Sequence, residues 1–172
     1  MNEKFFERRG AAIVATLLFL IYTLGISNLS TIDGWGYAAD IVNGNSLLRP
    51  HHLLYSITGF YWAKLIHIVL PNAETIYLLK LLNALCASIT AFIFFRLLQL
   101  IGLDAIRTTA FTIVSGLNWG FLRFTIDNET NIIPIMLSVG ATYFYLKAEN
   151  TPKSTYMFFR DFWRLQHAFT IR

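Results

Sequence analysis

Residues 53–70, LLYSITGFYWAKLIHIVL, decide the fold. At 1.5 Å per residue, a helix of this length comes close to crossing a hydrocarbon layer of about 30 Å. Yet it carries Lys64 and His67 together with Ser56, Thr58, Tyr61 and Trp62, a mixture that equally suits a helix lying in the membrane interface. The two placements give opposite orientations to everything downstream, so the distribution of Lys and Arg separates them.

If the stretch stays on the outer surface, the spans are about residues 10–29, 75–95, 108–122 and 131–146, and both chain ends are cytoplasmic. Lys4, Arg8, Arg9, Arg96, Arg107, Lys147, Lys153, Arg160, Arg164 and Arg172 then lie inside, ten in all, against four outside: Arg49, Lys64, Lys80 and Arg123. If the stretch crosses, Lys4, Arg8, Arg9, Lys64, Lys80 and Arg123 make six inside, and the other eight lie outside. Short loops are where the charge rule reads best, so the sequence predicts that 53–70 does not cross.

The last two spans are short, about 24 Å of helix each. Arg107, Arg123 and Lys147 are expected to snorkel, with local thinning of the bilayer making up the rest. Lys80, about one turn into its span, is expected to reach the outer surface in the same way, with Glu74 as its neighbour.

The composition agrees with a membrane class. Apolar residues make up 55% of the 172, charged residues 14%, and mean hydropathy is +0.51, away from the balance of an ordinary soluble domain. The net charge of +4 comes from residues scattered around apolar spans with no basic stripe, which excludes a nucleic-acid partner. Cys86 is single, so no internal disulfide or cysteine metal framework can form; its position in an apolar run suits a small buried residue. The run 10–32 could also be a signal peptide, but its apolar part is long and Gly25 and Ser27 imitate a cleavage site poorly. The expectation is therefore an all-α, polytopic membrane protein of about four transmembrane helices, with interfacial helices in the first outer loop.

That loop, TIDGWGYAADIVNGNSLLRPHHLLY over residues 31–55, gathers most of the chemistry-bearing side chains. Residues 33–42 suit a short helix stopped by Asn43-Gly44, with Asp33 and Asp40 on one face. The predicted topology returns RFTIDNET, residues 123–130, to the same outer side, so Asp33 and Asp40 share a surface with Asp127 and Glu129. Carboxylates gathered near a hydrocarbon boundary repel one another and rise in pKa. Such groups can act as a general base or hold a divalent metal. The alternatives are structural: Asp33 as the cap of the short helix, and Asp127 or Asn128 as the cap of the fourth span. Arg49, His51 and His52 could meet a phosphate, or serve as interfacial polar residues in a turn fixed by Pro50. Metal ligation by the adjacent His pair is disfavoured, because neighbouring side chains point apart. Trp35, Tyr37, Tyr55, Trp62 and Trp119 could stack on sugar rings or form an interfacial aromatic belt.

In order along the chain, TIDGWGYAAD after the first span, RPHHLLYSITGFYW leading into the interfacial helix, and FTIDNE after the third span resemble the N-terminal module of the polytopic glycosyltransferases of the GT-C fold. Protein O-mannosyltransferases and the aminoarabinose transferase that modifies lipid A belong to that group. The resemblance covers about residues 8–147. It implies transfer of a sugar from a polyprenyl-phosphate carrier to an extracytoplasmic acceptor, with inversion at the anomeric carbon, in the plasma membrane. By position, Asp33 would be the base, and Asp127 or Glu129 a second acid that assists it or holds acceptor or metal. Asp40, Arg49, His51 and His52 would bind substrate, Arg49 and His52 toward the carrier phosphate. Family members usually run to several hundred residues with many more spans. The division expected here is therefore a module over 1–147 and a cytoplasmic or interfacial tail over 148–172. The tail reads unlike a next span and suggests a truncated or frameshifted product that alone transfers little or no sugar. The competing class is a small non-catalytic membrane protein that binds a lipid or protein partner through its outer loops. Half of a transporter is disfavoured, since Lys80 is the one ionisable residue deep in a span. Donor sugar, acceptor and oligomeric state are left open by these residues.

Overall fold

The structure, a computed structural model, describes residues 3–44, 47–48 and 53–149. Those residues form helices and no strand: α1 (Glu3–Leu24), α2 (Ile32–Asn43), α3 (Leu53–His67), α4 (Thr75–Leu100), α5 (Ala105–Leu117), α6 (Trp119–Ile126) and α7 (Ile132–Glu149). Arg49, His51 and His52 lie outside the described residues, as does the tail from 150 onward.

The hub is α4, whose 26 residues reach about 39 Å at 1.5 Å each and which packs against every other helix. Among the described residues it is the one helix long and apolar enough to cross a membrane; Arg9–Leu24 and α5 are apolar but shorter. Directions follow from a few contacts. Lys80, near the start of α4, bonds Ser27 and Leu29 just past the end of α1. Asn83, one turn on, bonds Phe124, Asp127 and Glu129 around the end of α6. So α1 and the α5–α6 pair run antiparallel to α4. Helix α7 runs parallel to it, with Gly140 packed toward Ile93.

Helix α3 does not run the length of this bundle. It lies against the first turns of α4, where the Trp62 indole donates to Leu78 O at 2.7 Å, and its His67 Nε2 sits 2.9 Å from Ala73 O. Gly59 makes the approach possible. A Cβ there would stand 2.8 Å from both Ile41 Cδ1 and Leu79 Cδ2, so α2, α3 and α4 meet on a bare backbone.

Farther down α4, Ala84, Ala87 and Ala91 are buried with Phe95 among Ala11, Val14, Leu18, Ile132 and Ile133. Small residues on this face let neighbouring helices close in, and packing then replaces polar contact. Ser88 and Thr90 bond back to Ala84 O and Cys86 O of their own helix. Cys86 is buried, 5% exposed, as its place in the sequence suggested.

Three expected boundaries change. The first helix ends at Leu24 rather than near 29, because tertiary partners take over the backbone beyond it: Ser27 N donates to Ile126 O at 3.1 Å and Lys80 binds the Ser27 and Leu29 carbonyls. The expected continuous helix over 108–122 is instead two helices joined at Asn118. Its backbone is extended (φ −64°, ψ 146°) and its side chain caps α6 by accepting from Phe121 N. The pair covers 105–126, longer than the expected 108–122, with extended Asn118 between its two helices. Helix α7 likewise runs on to Glu149.

Candidate functional site

The polar side chains collect at the end of the bundle where α4 begins. Thr31, in extended conformation, accepts from Gly34 N and starts α2. This corrects the reading of Asp33 as the cap: Asp33 falls in the first helical turn, exposed, where the helix dipole favours an anion. Gly44, at φ 65°, stops the helix as Asn-Gly predicted. Asp40 sits two turns on, partly buried and on the same edge of the buried stripe Gly34, Ala38 and Ile41.

The second acidic segment follows α6. Asp127 does not cap α7; its carboxylate accepts from Asn128 N at 2.7 Å and pairs with Lys80 at 3.5 Å. Nor does Asn128 cap α7, because its amide is taken up elsewhere. Its Nδ2 donates to Gly34 O at 2.6 Å, and its Oδ1 accepts from the Tyr55 hydroxyl. A Cβ on Gly34 would lie 3.3 Å from both the Cβ and the carbonyl oxygen of Asn128. The start of α2, the loop after α6 and the start of α3 are thus held together by one asparagine.

Lys80 departs most from expectation. It does not snorkel to the surface beside Glu74: it is 1% exposed, donates to Ser27 O at 2.6 Å and Leu29 O at 3.0 Å, and has Asp127 as its counter-ion. A buried cation needs a partner charge and filled donors, and the two connections supply both. Asn83, also fully buried, donates to Phe124 O at 3.3 Å and to Asp127 O and Glu129 O at 2.8 Å each. Its Oδ1 has no hydrogen-bond partner among the described residues.

The structure therefore brings Asp33, Asp127 and Glu129 to one end of the molecule. Their charges sense one another. Burial raises the Glu129 carboxyl above its ordinary value; Asp127 adds to the rise, Arg123 opposes it, and Asp33 adds again. Burial, with Cys86, Glu129 and Asp127, likewise pushes the Tyr55 phenol well up, with nearby Asn83 acting the other way, so the hydroxyl stays a donor, to Asn128. Tyr55, read as a belt or stacking residue, is in fact buried at 1% exposure. Trp35 and Trp119 are exposed.

Among the described residues, no three His, Cys, Asp or Glu side chains converge as metal ligands. A cleft of about 220 Å³ lies elsewhere, between α4 (Thr90, Phe94), the α5–α6 break (Ser115, Asn118) and α7 (Ile135, Val139).

Sequence reasoning missed Lys80, Asn83 and Asn128 as the organisers of this end. The signal was present in LLKLLNALC, residues 78–86, where two polar residues three apart interrupt an apolar helix on one face. Comparison of the chain with protein-family models, curated proteins and solved structures returned no match.

Proposed function

We propose that the protein is integral to a membrane, with α1, α4, α5–α6 and α7 crossing it and α2 and α3 at the outer surface. Two features support this reading. Ile13, Leu17, Leu20 and Leu24 expose an apolar stripe along α1 opposite its buried face, surface that a bilayer covers. The charges also divide between the ends. Among the residues whose side chains are described, Arg9, Arg96, Arg107 and Lys147 lie with Asp104 and Glu149 at one end, whereas Lys64, Lys80 and Arg123 lie with Asp33, Asp40, Glu74, Asp127 and Glu129 at the other. The cation-rich end is cytoplasmic under the positive-inside rule.

On that outer face the reading is a glycosyltransferase-like site that uses a polyprenyl-phosphate sugar donor and an extracytoplasmic acceptor. One observation carries it: acidic segments far apart in sequence are laced together through Asn128 and Gly34, 94 positions apart, which brings their carboxylates to the same end of the molecule. Exposed Asp33 is placed as general base. It takes the proton of the acceptor hydroxyl, whose oxygen attacks the anomeric carbon as the bond to the carrier phosphate breaks. The phosphate leaves with the bonding electrons and the centre inverts. Glu129 or Asp127 orients the acceptor. Asp40 and the Arg49, His51 and His52 group are assigned to substrate, the latter toward the phosphate.

The test is sugar transfer from a polyprenyl-phosphate donor in native membranes lacking the gene and resupplied with variants. Asp33→Asn should abolish the transfer that the wild-type gene restores, at unchanged insertion. Full transfer by Asp33→Asn would instead favour a non-catalytic membrane protein that binds its partner through the outer loops.

A further inference from the structure

We propose that Lys80 is a positioning residue of this outer site: it withdraws Asp127 from the acceptor's space and leaves Asp33 and Glu129 as the working acid pair. The assignment rests on the reading above and settles its choice between the two later acids. Both connections that carry the acids run through Lys80. Its ammonium binds the Ser27 and Leu29 carbonyls in the connection leading to α2, and Asp127 in the connection leading to α7. The Asp127 carboxylate then receives both Lys80 and Asn128 N on Oδ1, and its side chain is 13% exposed. Glu129, two residues on, is fixed through its backbone alone, by Asn83 at its carbonyl and by its own N–H to Asp127 O at 3.2 Å. Glu129 is half-buried, as Asp127 is, so the two acids differ in what holds the carboxylate: Asp127 has a counter-ion in Lys80. A buried ammonium held by two carbonyls and one carboxylate cannot turn away without stranding all three. The spare carboxylate is the one that is not its counter-ion.

Carboxyl labelling of the purified full chain in lipid nanodiscs tests this, using a water-soluble carbodiimide with glycine ethyl ester and peptide mass spectrometry across pH. In the wild type, Glu129 and Asp33 should label and Asp127 should not. Lys80→Met should expose Asp127 to several-fold more label, whereas Lys80→Arg should keep it protected. Comparable labelling of Asp127 and Glu129 in the wild type, or continued protection of Asp127 in folded Lys80→Met, would overturn the assignment. Should Lys80→Met fail to fold, Asp127→Asn retains an oxygen for Lys80 and removes the neighbouring charge. The groups acting on Glu129 are Asp127, Arg123, Asp33 and, from α3, Tyr55. With Asp127 neutral, the pH midpoint of Glu129 labelling should move down, and an unmoved midpoint would count against the arrangement. A role in helix packing alone would lower the unfolding temperature without changing which acid labels. Because labelling needs no sugar donor, its failure would remove the role of Lys80 and leave glycosyl transfer to stand or fall on Asp33.

Discussion

The two halves of α4 solve the same problem differently. From Thr75 to Asn83 its apolar residues pack on α2 and α3, while a cation and an amide meet chain that has left the helix, the 25–31 and 127–131 connections. From Ala84 to Leu98 it meets other helices, whose backbone groups are already paired. There it presents alanines, and the hydroxyls of Ser88 and Thr90 turn back onto their own helix. Irregular backbone in an apolar setting must find donors and acceptors from side chains. The polar residues of α4 stand where the connections require them.

Removing the cation should break the contrast most. Lys80→Met leaves Asp127 without its counter-ion and two carbonyls without a donor, and breaking a buried pair on one side costs about 3–5 kcal/mol; the unfolding midpoint in detergent should show the largest drop of any variant here. Asn83→Leu keeps the charge pair but strands three carbonyls. At roughly 1–3 kcal/mol for an unsatisfied buried group, chemical denaturation should place it next. Between α1 and α5 the cost is steric. A Cβ at Gly116 would come within 2.8 Å of Tyr22 Oη and 2.9 Å of Leu18 Cδ1, and Tyr22 Oη donates to Gly116 O at 3.0 Å. Gly116→Ala should cost about 1–3 kcal/mol as overpacking; if paired with Tyr22→Phe it should recover part of that loss in the same assay.

Asn118→Ala removes one cap and should cost about 1 kcal/mol, without loosening the Lys80 end. The smallest effect concerns pH. A carboxyl whose pKa is raised by folding binds its proton more tightly in the folded state, so its contribution is greatest below the unfolded carboxylate range. That contribution is lost as pH rises through this range to the folded pKa. The Glu129 share of thermal stability, read as the difference between the wild type and Glu129→Gln, should therefore fall over that window.

The sequence was most legible where one residue type has one local reading. Asn43-Gly44 predicted a left-handed stop, and Gly44 provides it. The apolar run after Glu74 predicted the long helix, and the helix expected within 53–70 is there as α3, Leu53–His67. Legibility failed at Asn118, an ordinary polar residue in an apolar run, because only the local backbone shows that it caps a new helix. It failed again at Asp127 and Asn128, which look like caps of the next helix but are taken up by Lys80, Tyr55 and Gly34. The grouping of Asp33 with Asp127 and Glu129 was reached from charge alone; their separate duties were not.

By itself, then, the chain determined what is local or summed over many residues: helical class, the strongest stop, the apolar segments, and the balance of charge around them. Tertiary structure alone decided which carboxylate is held and which is left open. That choice depends on where a lysine and an asparagine on one helix face meet the ends of two others, because a buried cation must keep its counter-ion.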